Sequence, residues 1–194
     1  LSPATAHYRE AFERLQPQLG GTVARRVAAM ERFAELGFPG AREEAWKYTS
    51  LRRLESRRFV PAAPTTELVD VPVAFVAQRL VLANGSPVGI VPASLGGFAL
   101  GTLATAPEDQ LLRALGGGGT ERFAALNAAL TTGPLLLSTA AGQQSDEVLQ
   151  LTLITTGTGP TLAGPRIAVH MAPGSRARLL IGHVDDGTHE PFTH

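Results

Sequence analysis

Three histidines, His183, His189 and His194, fall close together near the C-terminal end, interspersed with Asp185, Asp186 and Glu190. Imidazoles and carboxylates are the ligand types that suit zinc or non-haem iron. The cluster is therefore the candidate for a metal-binding or iron-delivery module. Two details weigh against a zinc-hydrolase site. In His189-Glu190-Pro191-Phe192-Thr193-His194 the second histidine comes one position later than in H-E-x-x-H, and Pro191 opposes the helix that would bring both rings to one face. The simpler reading is polar residues of turns and strands. His170 alternates with apolar neighbours and reads as an ordinary strand histidine. Asp185 and Asp186 are adjacent, so in a strand they point to opposite faces and do not act on one bond.

Other chemistries find less support. Gly116 to Gly119 lacks the Lys-Ser/Thr of a phosphate loop, and Gly157-Thr158-Gly159 lacks the later glycine of a dinucleotide fingerprint. No serine sits in a G-x-S-x-G elbow. There is no Cys, which removes a cysteine nucleophile, a disulfide scaffold and thiolate ligation of zinc or an iron–sulfur cluster within these residues. No nucleophile, base and orienting group come together, so no catalytic or cofactor-binding residue is assigned.

The segment that stands out is Phe38 to Leu51, which carries the only Trp, the only Lys and one of the 2 Tyr. Trp46-Lys47-Tyr48 puts a cation between two aromatics, an arrangement suited to cation–π contact and to docking a short helix. The expectation is that these residues hold the helical part against the strand-rich remainder of the chain.

The elements that must position these residues are legible from period and punctuation. Ser2-Pro3 is an N-cap followed by Pro at the first helical position. Tyr8, Phe12, Leu15 and Leu19 come next at helical spacing, with Pro17 opposing an undisturbed helix and Gly20-Gly21 ending it. Thr22 caps a second helix with the stripe Val23, Val27, Met30, Ala34, closed by Gly37 and Pro39. Residues 41–47 could form a short third helix. Arg52, Arg53, Arg57 and Arg58 make a basic patch, read as a solvated face because no stacking aromatics interleave with it. Residues 61–70 look like a linker. Arg79–Ala83, the turn Asn84-Gly85 and Val88–Val91 read as a hairpin. A short helix is expected over 107–115, broken by the glycine run. Another is capped by Thr120, with Phe123, Leu126 and Leu130 on one face. Leu135–Ser138, Val148–Thr155, Arg166–Met171 and Ala177–Val184 read as strands, the second alternating as a half-buried strand does. A sandwich and a β-solenoid both fit this pattern.

Balanced charge (17 basic, 17 acidic) argues against a strongly electrostatic nucleic-acid binder, although residues 1–60 carry a net +4 and the rest a net −4. With 44% hydrophobic residues the chain can bury a sizeable core. No run approaches a membrane span or a signal-peptide core, so the default is a cytoplasmic protein. The sequence starts at Leu1 and stops at His194 just after a patterned segment, which reads as a fragment.

The run GFPGAREEAWKYTSLRRL (37–54) resembles the N-terminal signature of the SufB/SufD family of iron–sulfur cluster assembly, with Trp-Lys-Tyr-Thr favouring its SufD branch. RLVLANGSPV (79–88), RFAALNAALTTGPLLL (122–137) and PRIAVHMAPGSRARLLIGH (165–183) resemble further family segments in the same order. PFTH (191–194) departs from the usual F-T-N by carrying His194. The resemblance spans nearly the whole chain and implies an α+β fold: an N-terminal helical domain (1–60), then the first part of a right-handed parallel β-helix (61–194), truncated, with short helices inserted at about 107–130. It implies a scaffold subunit, non-catalytic by itself. Trp46, Lys47, Tyr48, Asn127 and Arg166 are its signature positions, structural in role. It implies no cofactor in this segment, the iron–sulfur cluster being handled by the full complex, and SufB-like and SufC-like (ATPase) partners through the full-length protein. No nucleic acid or membrane partner is expected. A β-helix cut at this point is expected to self-associate through its open edges.

Overall fold

Ser2 and Pro3 open the first helix, as their types require. In the computed structural model, which describes residues 2–20, 23–40, 42–63, 65, 78–102, 105, 121–157, 159–185 and 191–193, Ser2 caps helix α1 (Pro3–Leu15), and its Oγ accepts from the Thr5 N–H at 3.2 Å. Pro17 limits the continuation to one 3-10 turn, Gln16–Gln18. Helix α2 (Val23–Leu36) ends at Gly37, whose φ of +58° lets its N–H return to the Phe33 carbonyl at 2.8 Å.

The buried face of α2 is rotated from the one expected. Arg26, Met30 and Phe33 are buried, whereas Val23 is 49% exposed. Arg26 turns inward because backbone carbonyls of residues 129 and 131 await it there. In place of the short helix expected over 41–47, the described residues 42–47 hold only the 3-10 turn Glu44–Trp46, since this stretch has no apolar periodicity to anchor a longer helix. A short helix α3 (Arg52–Ser56) comes next. Helix α4 (Arg122–Leu130) buries Phe123, Leu126 and Leu130, as their spacing predicts. The helix expected over 107–115, the glycine run 116–119 and the caps Thr22 and Thr120 lie outside the described residues.

The strands are β1 (Val60–Pro61), β2 (Gln78–Ala83), β3 (Ser86–Pro87), β4 (Ser94–Leu95), β5 (Phe98–Gly101), β6 (Leu135–Ser138), β7 (Gln144–Thr155), β8 (Thr161–Ala163), β9 (Ile167–His170), β10 (Arg176–Asp185) and β11 (Pro191–Thr193). Asn84 (φ +53°) and Gly85 (φ +88°) make the left-handed turn between β2 and β3. The Asn84 side chain is buried and fastens this turn to its surroundings: Nδ2 donates to the Ala63 carbonyl at 2.9 Å, and Oδ1 accepts from the Thr156 N–H at 2.9 Å. The return strand is Ser86–Pro87, ahead of the expected 88–91, which forms no strand: the Val88 N–H still bonds to the Val81 carbonyl at 2.9 Å, and Gly89 (φ +77°) then turns the chain. Ile90 beyond it is 96% exposed.

Three sheets result, none of them closed among the described residues: β1-β8-β11, β10-β7-β2-β3 and β4-β5-β6-β9. Their pairings share a pattern. Strands β6, β7 and β8 pair in parallel with β9, β10 and β11 respectively. Leu135 lies beside Ile167, Gln144 beside Arg176 and Thr161 beside Pro191, so the partners are 32, 32 and 30 residues apart. An irregularity between Arg176 and Arg178 shortens the offset within β10 to 30. Strand β7 is buried on both faces from Leu149 to Thr155 instead of half-buried. It is flanked by β2 and β10, and Gln150 Nε2 donates to Thr152 Oγ1 at 3.3 Å on its polar side.

The apolar side chains form two clusters. One fills the space between the strands, with Leu80, Leu137, Leu149 and Leu151 at its centre. The other joins Tyr8, Phe12, Met30 and Phe33 of the first helices to Leu126 and Leu130 of α4, and also to Phe59 and Leu162. The helical core therefore draws on residues from both sides of position 60.

Candidate functional site

The signature segment meets the rest of the molecule at α4. Phe38, immediately after the Gly37 cap, stands edge-on to Phe123 with ring centroids 5.7 Å apart. Trp46 stands edge-on to the same Phe123, also at 5.7 Å. Phe38 in turn packs on Phe33 and Tyr8, at 5.9 and 6.0 Å. These are favourable aromatic geometries, and they link α1, α2 and the signature segment to the first turn of α4. An ion pair fastens the same place: Arg122 Nη1 donates to Glu43 Oε2 at 2.6 Å, while Glu43 Oε1 accepts from the Gly40 N–H at 2.9 Å.

Trp46 thus docks as expected in kind, but onto α4, and only half-buried. Lys47 and Tyr48 take no part in the docking. Lys47 pairs with Glu44, and its Nζ lies 5.0 Å from the Tyr48 ring centroid, with Tyr48 92% exposed. The cation–π arrangement is present, facing outward.

The remaining signature residues hold α4 from two other directions. Arg166 Nη1 donates to Asn127 Oδ1 at 3.2 Å, and Asn127 Nδ2 donates to the Pro165 carbonyl at 3.2 Å. This joins the middle of α4 to the start of β9. At the C-terminal end, Arg26 of α2 donates through Nη1 to the Ala129 carbonyl at 3.0 Å and the Thr131 carbonyl at 2.8 Å, and through Nε to the Gly20 carbonyl at 2.8 Å. A helix leaves its last carbonyls unpaired and carries partial negative charge at that end, so a guanidinium answers both needs. Burial, and then the charge of Arg166, push the Arg26 pKa down. Burial does the same to Arg166.

Sequence reading misses Arg26, Glu43, Arg122 and Phe123 as site residues. A signal for Arg26 exists: it stands four residues before Met30 and seven before Phe33, inside an apolar stripe. Of the histidines, His183 lies exposed on β10, and His170 is exposed on β9. Asp185 ends β10. His189, His194, Asp186 and Glu190 lie outside the described residues. Among the described residues, no group of three or more His, Asp or Glu is placed to hold a metal ion. Nor is any helix among them long and apolar enough to cross a membrane.

The arginines around α4 donate to backbone carbonyls, to Asn127 and to Glu43, and burial pushes the Tyr8 phenol up to about 12. One group responds to pH. The Arg122 bond first, and the Gly40 N–H second, hold the Glu43 carboxyl below its ordinary range. Folding therefore favours its ionised form. That contribution is complete above the unfolded pKa of about 4.3 and is lost as pH falls through the lower folded value. In an NMR titration the Glu43 midpoint is expected to rise toward the ordinary range in Arg122→Gln. An unchanged midpoint would show that the pair does not form in solution.

No family model matches the sequence, and no curated protein matches it significantly.

Proposed function

We propose that this chain is the N-terminal part of a SufD-like scaffold subunit for iron–sulfur cluster assembly, non-catalytic by itself, and that its strands build the opening coils of a right-handed parallel β-helix. The observation that carries the reading is the parallel pairing of β6, β7 and β8 with β9, β10 and β11 at offsets of 30–32 residues. One strand from each sheet, repeated at a near-constant offset, is what a coil of three strands requires. Right-handedness follows from the strong preference of parallel crossovers for that hand. The four family-like segments support the same reading. Their signature residues Trp46, Asn127 and Arg166 converge on α4, where the helical part joins the strands.

In such an assembly the chain acts by shape. It carries the helical part rigidly on the strand core and offers partners a surface, and SufB-like and SufC-like subunits, together with the cluster under construction, provide the chemistry. The test is genetic and biochemical. Removing the coding segment from its source organism should lower the activity of a soluble iron–sulfur enzyme under iron limitation. The inactive enzyme should recover on chemical reconstitution with iron and sulfide. Full activity in the deletion strain would overturn the proposal.

A further inference from the structure

Asn84 is followed by glycine, and this pair carries a chemistry of its own. No side chain shields the nitrogen of Gly85, so in a free chain that nitrogen can attack the Asn84 Cγ. A C–N bond forms, the Cγ–Nδ2 bond breaks, and ammonia leaves a five-membered succinimide. Water then opens the ring to aspartate, or to isoaspartate, in which the main chain runs through the side-chain carbons. Asparagine is thermolabile, and an Asn-Gly pair is the least hindered case. The other asparagine, Asn127, precedes Ala128, whose methyl group hinders the same attack.

The fold ties the Asn84 amide to two distant parts of the chain. Nδ2 donates to the Ala63 carbonyl at 2.9 Å and to Thr156 Oγ1 at 3.1 Å, while Oδ1 accepts from the Thr156 N–H at 2.9 Å. The Asn84 N–H itself donates to the Ile154 carbonyl at 2.9 Å, and the residue is only 6% exposed. Ring closure rotates Cγ onto the Gly85 nitrogen, so the amide must first leave these partners. Neither product fits the docked turn. Aspartate sets a carboxylate oxygen against the Ala63 carbonyl, where the amide now donates. Isoaspartate lengthens the main chain where it has no slack: a methyl group on Gly85 would already lie 3.2 Å from the Gly164 carbonyl carbon and the Pro165 nitrogen.

We propose that Asn84 is a fold-gated modification site, inert while the β2–β3 turn is docked and deamidated once the turn opens, after which the native arrangement is not recovered. The device rests on this turn alone and not on the scaffold role. The rate in the folded chain equals the rate in the open chain multiplied by the fraction of time the turn is open.

The chain is incubated in mildly alkaline buffer with and without denaturing guanidinium, and the mass gain of the peptide carrying Asn84 is followed. Deamidation should be slower in the folded chain by at least roughly tenfold. Thr156→Val removes one acceptor of Nδ2, so it should speed conversion in the folded chain and leave the denatured rate unchanged. Deamidated chain returned to native buffer should melt below the parent, and so should Asn84→Asp. Equal rates in the folded and denatured chains would overturn the proposal. So would a Thr156→Val rate equal to the parent's in the folded state, or a deamidated chain that melts with the parent.

Discussion

Replacing Phe123 with alanine is expected to lower the unfolding free energy by about 3–5 kcal/mol, the usual cost of emptying an aromatic site in a core. Phe123 is only 9% exposed, and both Phe38 and Trp46 touch its ring. Its loss would leave a cavity under the signature segment and free Trp46 from its contact. Trp46→Ala should cost less, about 1–2 kcal/mol, since the indole is half in solvent and a smaller apolar area returns to water. The double variant should cost less than the sum of the two, because they remove one shared contact. Urea denaturation of the three variants checks the order. A Trp46→Ala loss equal to or larger than that of Phe123→Ala would mean that the tryptophan, not α4, anchors the segment.

Arg26→Met is the second large effect, and its sign depends on which of two opposing forces wins. Removing the guanidinium relieves its desolvation and its repulsion by Arg166, the two causes that lower its pKa. It also strips donors from the buried Ala129 and Thr131 carbonyls. Each unsatisfied buried carbonyl costs about 1–3 kcal/mol, so the lost bonds cost about 2–6 kcal/mol before the relief is set against them, and a net destabilisation smaller than that is expected. Arg26→Lys should recover only part of it, because an ammonium cannot span three acceptors as the planar fork does. Hydrogen exchange should quicken first at the last turn of α4, including the Thr131 amide that bonds to the Asn127 carbonyl. A variant as stable as the parent would show that relief of burial and repulsion outweighs the lost bonds.

The two effects mark where sequence reading stops. Spacing alone places Phe123 on the buried face of its helix, yet its aromatic partners, 77 and 85 residues earlier at Trp46 and Phe38, cannot be inferred from period. Arg26 is legible as an arginine within an apolar stripe. That it faces inward depends on where the end of α4 lies, 103 residues along the chain. The expected stripe through Val23 tracks average hydrophobicity, which carries no information about a carbonyl waiting on the other side. Trp46-Lys47-Tyr48 reads as a unit, but folding divides it: Trp46 turns inward, while Lys47 and Tyr48 stay in solvent.

What the amino-acid order determined by itself was local. Ser2-Pro3 began a helix, Pro17 and Gly37 ended helices, and Asn84-Gly85 turned a hairpin. Strand β6 occupies the residues its pattern indicated. Each of these outcomes depends on sterics and hydrogen bonds reaching only a few residues, so the nearest neighbours suffice to specify it. What only the tertiary structure decided was association: which face of α2 is buried, which ring receives Trp46, and which strands lie side by side. Leu151 pairs with Leu80 on one edge and Ile181 on the other. Many leucines and isoleucines would satisfy the same period, and only the path of the whole chain selects among them.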